Sequence, residues 1–311
     1  MKPTSSAPRS PGANKQSPPK MHGTTIFRLG TDTEDKSFVV KVQPLTDAPS
    51  VSYHCHELQV HDRGFTKTYY STDVLEPDEH FEKKNLHGMV KLVKEQTSLE
   101  PPYKIVVMEA CDGNLREFMN NVLPSMSKHQ QITCIRQFLG DMIYAIHTLH
   151  RYKLVHGDIK PENIGYKYDK HKRKYLFVIF DFDGLTKEGS PVRFISPTYS
   201  VYTYVRRKAE PMHDNSAIVD TFLQICGILT KHNHYMFHFT NKQQLENLLG
   251  RRIEYPAAGN TVERILEATD VPNDIKKALT QAVRYIQKQN ENKTVDETFI
   301  NRIRTQFRIK R

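Results

Sequence analysis

An apolar stripe that runs straight into a polar octapeptide constrains this chain more than any other feature. Ile135, Phe138, Leu139, Met142, Ile143, Ile146 and Leu149 recur at the three-to-four-residue spacing of one helix face. Such a face has to be buried, and the stripe stops just short of His156-Gly157-Asp158-Ile159-Lys160-Pro161-Glu162-Asn163. The octapeptide is therefore fixed against a rigid element. Two strand-like runs follow, 164–168 and 175–180, joined by Asp169-Lys170-His171-Lys172-Arg173-Lys174. The second run delivers Asp181-Phe182-Asp183-Gly184, and the basic tip between the runs reads as solvent-facing decoration.

Within the octapeptide, Asp158 offers a carboxylate for a hydroxyl proton. Lys160 offers positive charge for a phosphate, and the Asn163 oxygen suits a hard Mg²⁺ ion. Those are parts for phosphoryl transfer. The 311 residues are enough for one large domain or two lobes around a cleft. No apolar run approaches the roughly 20 residues of a membrane span, and the start lacks a signal peptide's apolar core. An intracellular protein, cytoplasmic or nuclear and without membrane contact, is expected.

Cys55, Cys111, Cys134 and Cys226 are scattered with no CxxC pair, which argues against a disulfide framework or a zinc knuckle. His54, Cys55, His56 and His61 crowd together, but His56 reaches His61 one residue too late for the HExxH spacing that puts two imidazoles on one helical face. His232, His234 and His238 lack a second ligand cluster. No metal is expected at either group.

The net charge is +10. Residues 1–20 hold Lys2, Arg9, Lys15 and Lys20, and residues 301–311 hold Arg302, Arg304, Arg308, Lys310 and Arg311, with no acid in either stretch. These ends are read as basic tails, 1–21 and 301–311, able to meet an anionic partner such as nucleic acid or an acidic protein. The first has five prolines and almost nothing apolar, so no burial offsets the cost of ordering it.

Residues 24–29 and 38–42 read as a hairpin whose second strand puts Phe38, Val40 and Val42 on one face and Val39 with Lys41 on the other. A lysine sharing a face with valine is odd for a core and sensible beneath a nucleotide. It needs a carboxylate to aim it: Glu57, in a helical-looking stretch at 52–60, is preferred over Glu76 and Glu79. A further strand is expected at 103–108.

The octapeptide resembles the catalytic loop of protein kinases, His-Arg-Asp-Leu-Lys-x-x-Asn, with Gly157 in place of the arginine. Val39-Val40-Lys41-Val42 is similar to the kinase Val-Ala-Ile-Lys strand, and Asp181-Phe182-Asp183 to Asp-Phe-Gly. Leu86 to Leu92 resembles the link into the fourth strand, Glu109-Ala110-Cys111 the hinge between lobes, and Ser196-Pro197 the end of an activation loop. The run 39–44 followed by Glu57-Leu58 looks like the vaccinia-related branch of the casein-kinase-one group.

The resemblance implies an α+β, two-lobed fold: a β-rich lobe over 22–110 and a helical lobe over 111–300. It implies ATP and Mg²⁺ as cofactors and a serine/threonine protein substrate. Lys41, aimed by Glu57, would hold the α- and β-phosphates, with Val39, Met108 as gatekeeper, Glu109 and Cys111 around the adenine. Asp158 would steer the hydroxyl proton and Lys160 would offset γ-phosphate charge. Asn163 and Asp181 would bind the metal, and Asp220 would anchor the loop backbone. Gly157 and the short stretch from Gly184 to Pro191 imply activity without loop phosphorylation. The phosphate lid has only Gly23 where kinases have three glycines, which keeps a nucleotide-binding pseudokinase scaffold open. His-Gly-Asp likewise keeps open a small-molecule phosphotransferase of the aminoglycoside or choline kinase type.

Overall fold

A computed structural model describes residues 25–30, 37–44, 64–74, 102–192, 208–229, 266–290 and 298–308. The amino-terminal tail, Glu57 with its rivals Glu76 and Glu79, the histidine groups, Leu86 to Leu92 and Ser196-Pro197 lie outside the described residues. The chain forms two compact units, residues 1–47 with 70–107 and residues 48–69 with 108–311. The sequence placed the division after 110; instead the larger unit starts at Met108 and takes in the stretch that ends with Tyr69.

The smaller unit is built on a sheet. Strand β1 (Thr25–Gly30) and β2 (Ser37–Pro44) pair antiparallel, from Thr25 opposite Val42 to Gly30 opposite Ser37. With β3 (Thr68–Val74) and β4 (Tyr103–Glu109) they give the order β1-β2-β4-β3. β2 is thus an interior strand: Val40 and Val42 are fully buried, and Lys41 is only 8% exposed. A solvated edge lysine is excluded.

In the larger unit, β5 (Gly113–Asn114), β7 (Ile164–Asp169) and β8 (Lys174–Ile179) form a sheet in the order β5-β7-β8, and β6 (Leu154–Val155) pairs with β9 (Thr186–Lys187). Helix α1 (Lys128–Arg151) starts at a capping box in which Ser127 Oγ accepts from the Gln130 amide and Gln130 Oε1 accepts from the Ser127 amide. It ends before Lys153, whose left-handed φ of 58° breaks the run. All seven stripe residues are buried, each worth about 1.5–3 kcal/mol of transfer free energy.

Helix α2 (Pro211–Ile228) opens on a proline, whose missing N–H is one the first turn would leave unpaired. Helix α3 (Asn273–Asn290) is tied to α1 by Arg136, which donates to both oxygens of Asp274 at 2.7 and 2.9 Å and holds that carboxyl below its usual range. Helix α4 (Thr298–Gln306) corrects the reading of 301–311 as a tail, because Ile300 and Ile303 are buried in the core and the helix runs through the proposed boundary. Among the described residues no helix is long and apolar enough to cross a membrane.

Candidate functional site

The octapeptide is held from three directions. His156 is fully buried; its amide donates to Asp214 Oδ2 at 3.0 Å, and the Gly157 amide donates to Asp214 Oδ1 at 2.9 Å. His150, at the end of α1, places Nε2 3.0 Å from the same Asp214 Oδ2. Burial alone would raise the Asp214 carboxyl, but the His150 hydrogen bond and charge, His156 and the Gly157 amide outweigh it and hold the group below its ordinary value. Gly157 has φ of 77°, where a side chain would be strained. The missing arginine is therefore also a conformational fit.

Asp214 is the anchor that the sequence reading missed. Asp220 was expected in this role, yet it lies six residues further along α2, turned well away from the Asp214 face by the helical repeat. Desolvation pushes its carboxyl up to about 8.

Asp158, Lys160 and Asn163 come together as expected. Lys160 Nζ donates to Asp158 Oδ2 at 2.7 Å, and Asn163 Nδ2 donates to the Asp158 carbonyl at 2.9 Å and to Oδ2 at 3.0 Å. Two donors on one oxygen fix the carboxylate's rotamer. Glu162, between them, is held by Arg116 Nε at 2.9 Å. The Asn163 carbonyl then accepts from the Phe180 amide at 3.0 Å, which brings Asp181 alongside.

Asp181 sits at φ 64°, ψ 72°, a left-handed conformation that costs a non-glycine residue about 1–3 kcal/mol. Such strain persists where the surroundings over-determine it, and they do here. The Phe182 ring lies 5.3 Å from the His156 ring and 5.7 Å from Phe65. His156 Nδ1 accepts from the Asp158 amide at 3.3 Å, so Nε2 is left to donate to the Phe180 carbonyl at 3.2 Å. Asp183, standing where kinases have glycine, lies exposed in the turn Phe182–Gly184 without a positive φ; the strained position is Asp181.

Beyond the turn, the chain is pinned at several points. Val155 opposes Thr186, the Glu188 amide donates to Lys153 O at 2.9 Å, and Gly189 with Ser190 exchange hydrogen bonds with Ala209 at 2.8 Å each.

Glu109 and Asp112 pack on β7. Met108, Glu109 and Cys111 are half-buried. Glu109 pairs with Lys167, its amide donates to Lys67 O at 2.8 Å, and Asp112 accepts from the Tyr168 amide at 2.7 Å. Burial pushes the Cys111 thiol up. A Cβ on Gly165 would come within 2.3 Å of Cys111 Sγ and 3.0 Å of its Cβ. Gly165→Ala is expected to cost about 1–3 kcal/mol, read as a lowered melting temperature that Cys111→Ala restores; an unchanged melting temperature would contradict this contact. Lys41 and Val39 lie on β2 in the other unit.

Among the described residues no group of three or more His, Cys, Asp or Glu side chains is placed to hold a metal. The Asn163 oxygen and the Asp181 carboxylate, expected to hold Mg²⁺, are both hard oxygen donors of the kind that ion takes.

No family model matches the chain. Over 110 residues it is 30% identical to serine/threonine-protein kinase 1 of Heliothis zea nuclear polyhedrosis virus, a match covering 34% of this chain and 37% of that protein. The chain thus spans well under half the length of this relative. Its structure is similar to that of the Cydia pomonella granulovirus kinase PK-1, with a TM-score of 0.60 and 14% identity over 94% of this chain and 92% of the other. A small sheet unit, a larger helical unit and this neighbour together make the fold α+β and protein kinase-like.

Proposed function

We propose that the chain is a serine/threonine protein kinase that moves the γ-phosphoryl group of ATP to protein hydroxyls. The observation that carries this reading is the interlocked set Asp158, Lys160 and Asn163, whose Asn163 carbonyl is bonded to the residue preceding Asp181. Asp158 accepts or steers the hydroxyl proton. Lys160, bonded to it, brings positive charge to the oxygens of the transferred group. Asn163 turns its Nδ2 toward Asp158, so its Oδ1, with the Asp181 carboxylate, would hold the metal.

ATP would supply the phosphoryl group, and Mg²⁺ would neutralise its developing charge. Lys41, buried on an interior strand, is the phosphate-holding residue of this scheme, with Glu57 as its carboxylate and Val39 and Met108 against the base. Adenine would bond to the backbone of residues 109–111, where the Glu109 amide donates to Lys67 O. The vaccinia-related resemblance rests on residues 39–44 and Glu57-Leu58.

Activity without loop phosphorylation is supported by two features. Gly157 removes the cation that would meet a phosphate, and the segment 186–190 is already pinned by backbone hydrogen bonds at both ends.

The test is transfer from γ-labelled ATP with Mg²⁺, using casein and a basic protein beside an aminoglycoside and choline, before and after phosphatase treatment. Label on protein serine or threonine, at a rate unchanged by phosphatase, is expected. Label on the small molecules would overturn the substrate class. Nucleotide binding without transfer would favour a scaffold.

A further inference from the structure

We infer that the β7–β8 hairpin is a binding site for single-stranded nucleic acid, with the exposed tip as its phosphate-binding element and Tyr168 as its base-stacking ring. The inference stands independently of the kinase reading. At the tip Lys170, His171, Lys172 and Arg173 are all exposed, next to a half-buried Lys174. Asp169 is the one carboxylate in this stretch, and it is engaged in shaping the turn. Its Oδ1 accepts from the amides of His171 at 3.0 Å and Lys172 at 2.9 Å, and those bonds, the Lys172 amide foremost, hold its carboxyl below the ordinary range. Four permanent cations therefore share one carboxylate, whose Oδ2 lies 3.5 Å from Lys172 Nζ, on a turn whose backbone is already ordered.

Charge alone would describe a solvated surface. The second observation is aromatic. Tyr168 is 43% exposed although it lies in a paired strand, opposite Tyr175. The two rings sit 5.0 Å apart, and Tyr175 rests 4.9 Å from Phe118, which lies in turn against Phe177 in the core at 5.3 Å. A chain of aromatic contacts thus holds up one ring at the surface beside the cations. A positive surface with a rigid ring is what an unpaired strand needs, because every base has a face to stack and every linkage a charge to neutralise. A duplex hides its base faces, and an acidic protein gives the ring no role.

The intact chain is titrated into a fluorescent 12-nucleotide oligothymidylate between 50 and 200 mM salt, with anisotropy as the readout. For K170Q/K172Q/R173N, with asparagine at the left-handed position where φ is 50°, the slope of log affinity against log salt should fall by about 2. Tyr168→Ser should weaken binding about tenfold and leave the salt slope unchanged. Both variants should melt with the wild type. K2Q/R9Q/K15Q/K20Q, at the amino-terminal cations, should weaken binding less than the hairpin variant does. Unchanged affinity and slope in the hairpin variant would overturn the inference. So would an oligoglutamate competing as well as the oligothymidylate, with Tyr168→Ser silent, since that would make the partner an acidic protein.

Discussion

Asp214→Ala is expected to destabilise the protein by about 3–5 kcal/mol and to remove any transfer activity with it. The carboxylate is fully buried and accepts from two backbone amides of the octapeptide while facing His150. Alanine would leave those amides buried without partners, each costing roughly 1–3 kcal/mol. Asp214→Asn is the sharper variant. It keeps one acceptor oxygen for one amide and turns an NH₂ toward a donor, so a folded protein with a loosened loop is expected.

The pH dependence of stability separates the two effects. The Asp214 carboxyl is held below its ordinary 3.8, so its contribution is present above that value and is lost as pH falls through the lower, folded-state value. Denaturant unfolding at pH 7 and again below pH 3.8 should show wild type losing more than Asp214→Asn. Equal losses would remove the carboxylate's charge from the account.

Asp158→Asn should lower phosphoryl transfer by about 10²–10⁴-fold while leaving melting temperature nearly unchanged. The side chain is 14% exposed, asparagine has nearly the same shape, and the partners Lys160 and Asn163 belong to the same loop. Nucleotide affinity, measured by isothermal calorimetry, should survive. A variant that transfers label at the wild-type rate would take the proton-steering role away from Asp158.

The elements legible in the sequence are those whose partners are close in the chain. The α1 stripe has a helical period, the two runs around the basic tip are consecutive paired strands, and Asp158, Lys160 and Asn163 meet within one turn of loop. What stayed hidden depends on distant backbone. β3 went unread, although Tyr69 to Val74 is rich in β-formers, because the stretch that leads into it is fixed by Phe65 pairing with Ile179. Asp214 and Asp220 share a helix, and only the loop's position decides which face matters. At the carboxyl end, Ile300, Ile303 and Phe307 carry a helical period that the surrounding arginines obscured.

The paired bonds of Gly189 and Ser190 with Ala209 close a neck around residues 191–208. A segment clasped at its base can change in length and sequence without passing that change to Asp158 or Asp214. Because the clasp is made by main-chain groups, substitutions of the Ser190 and Ala209 side chains leave it in place.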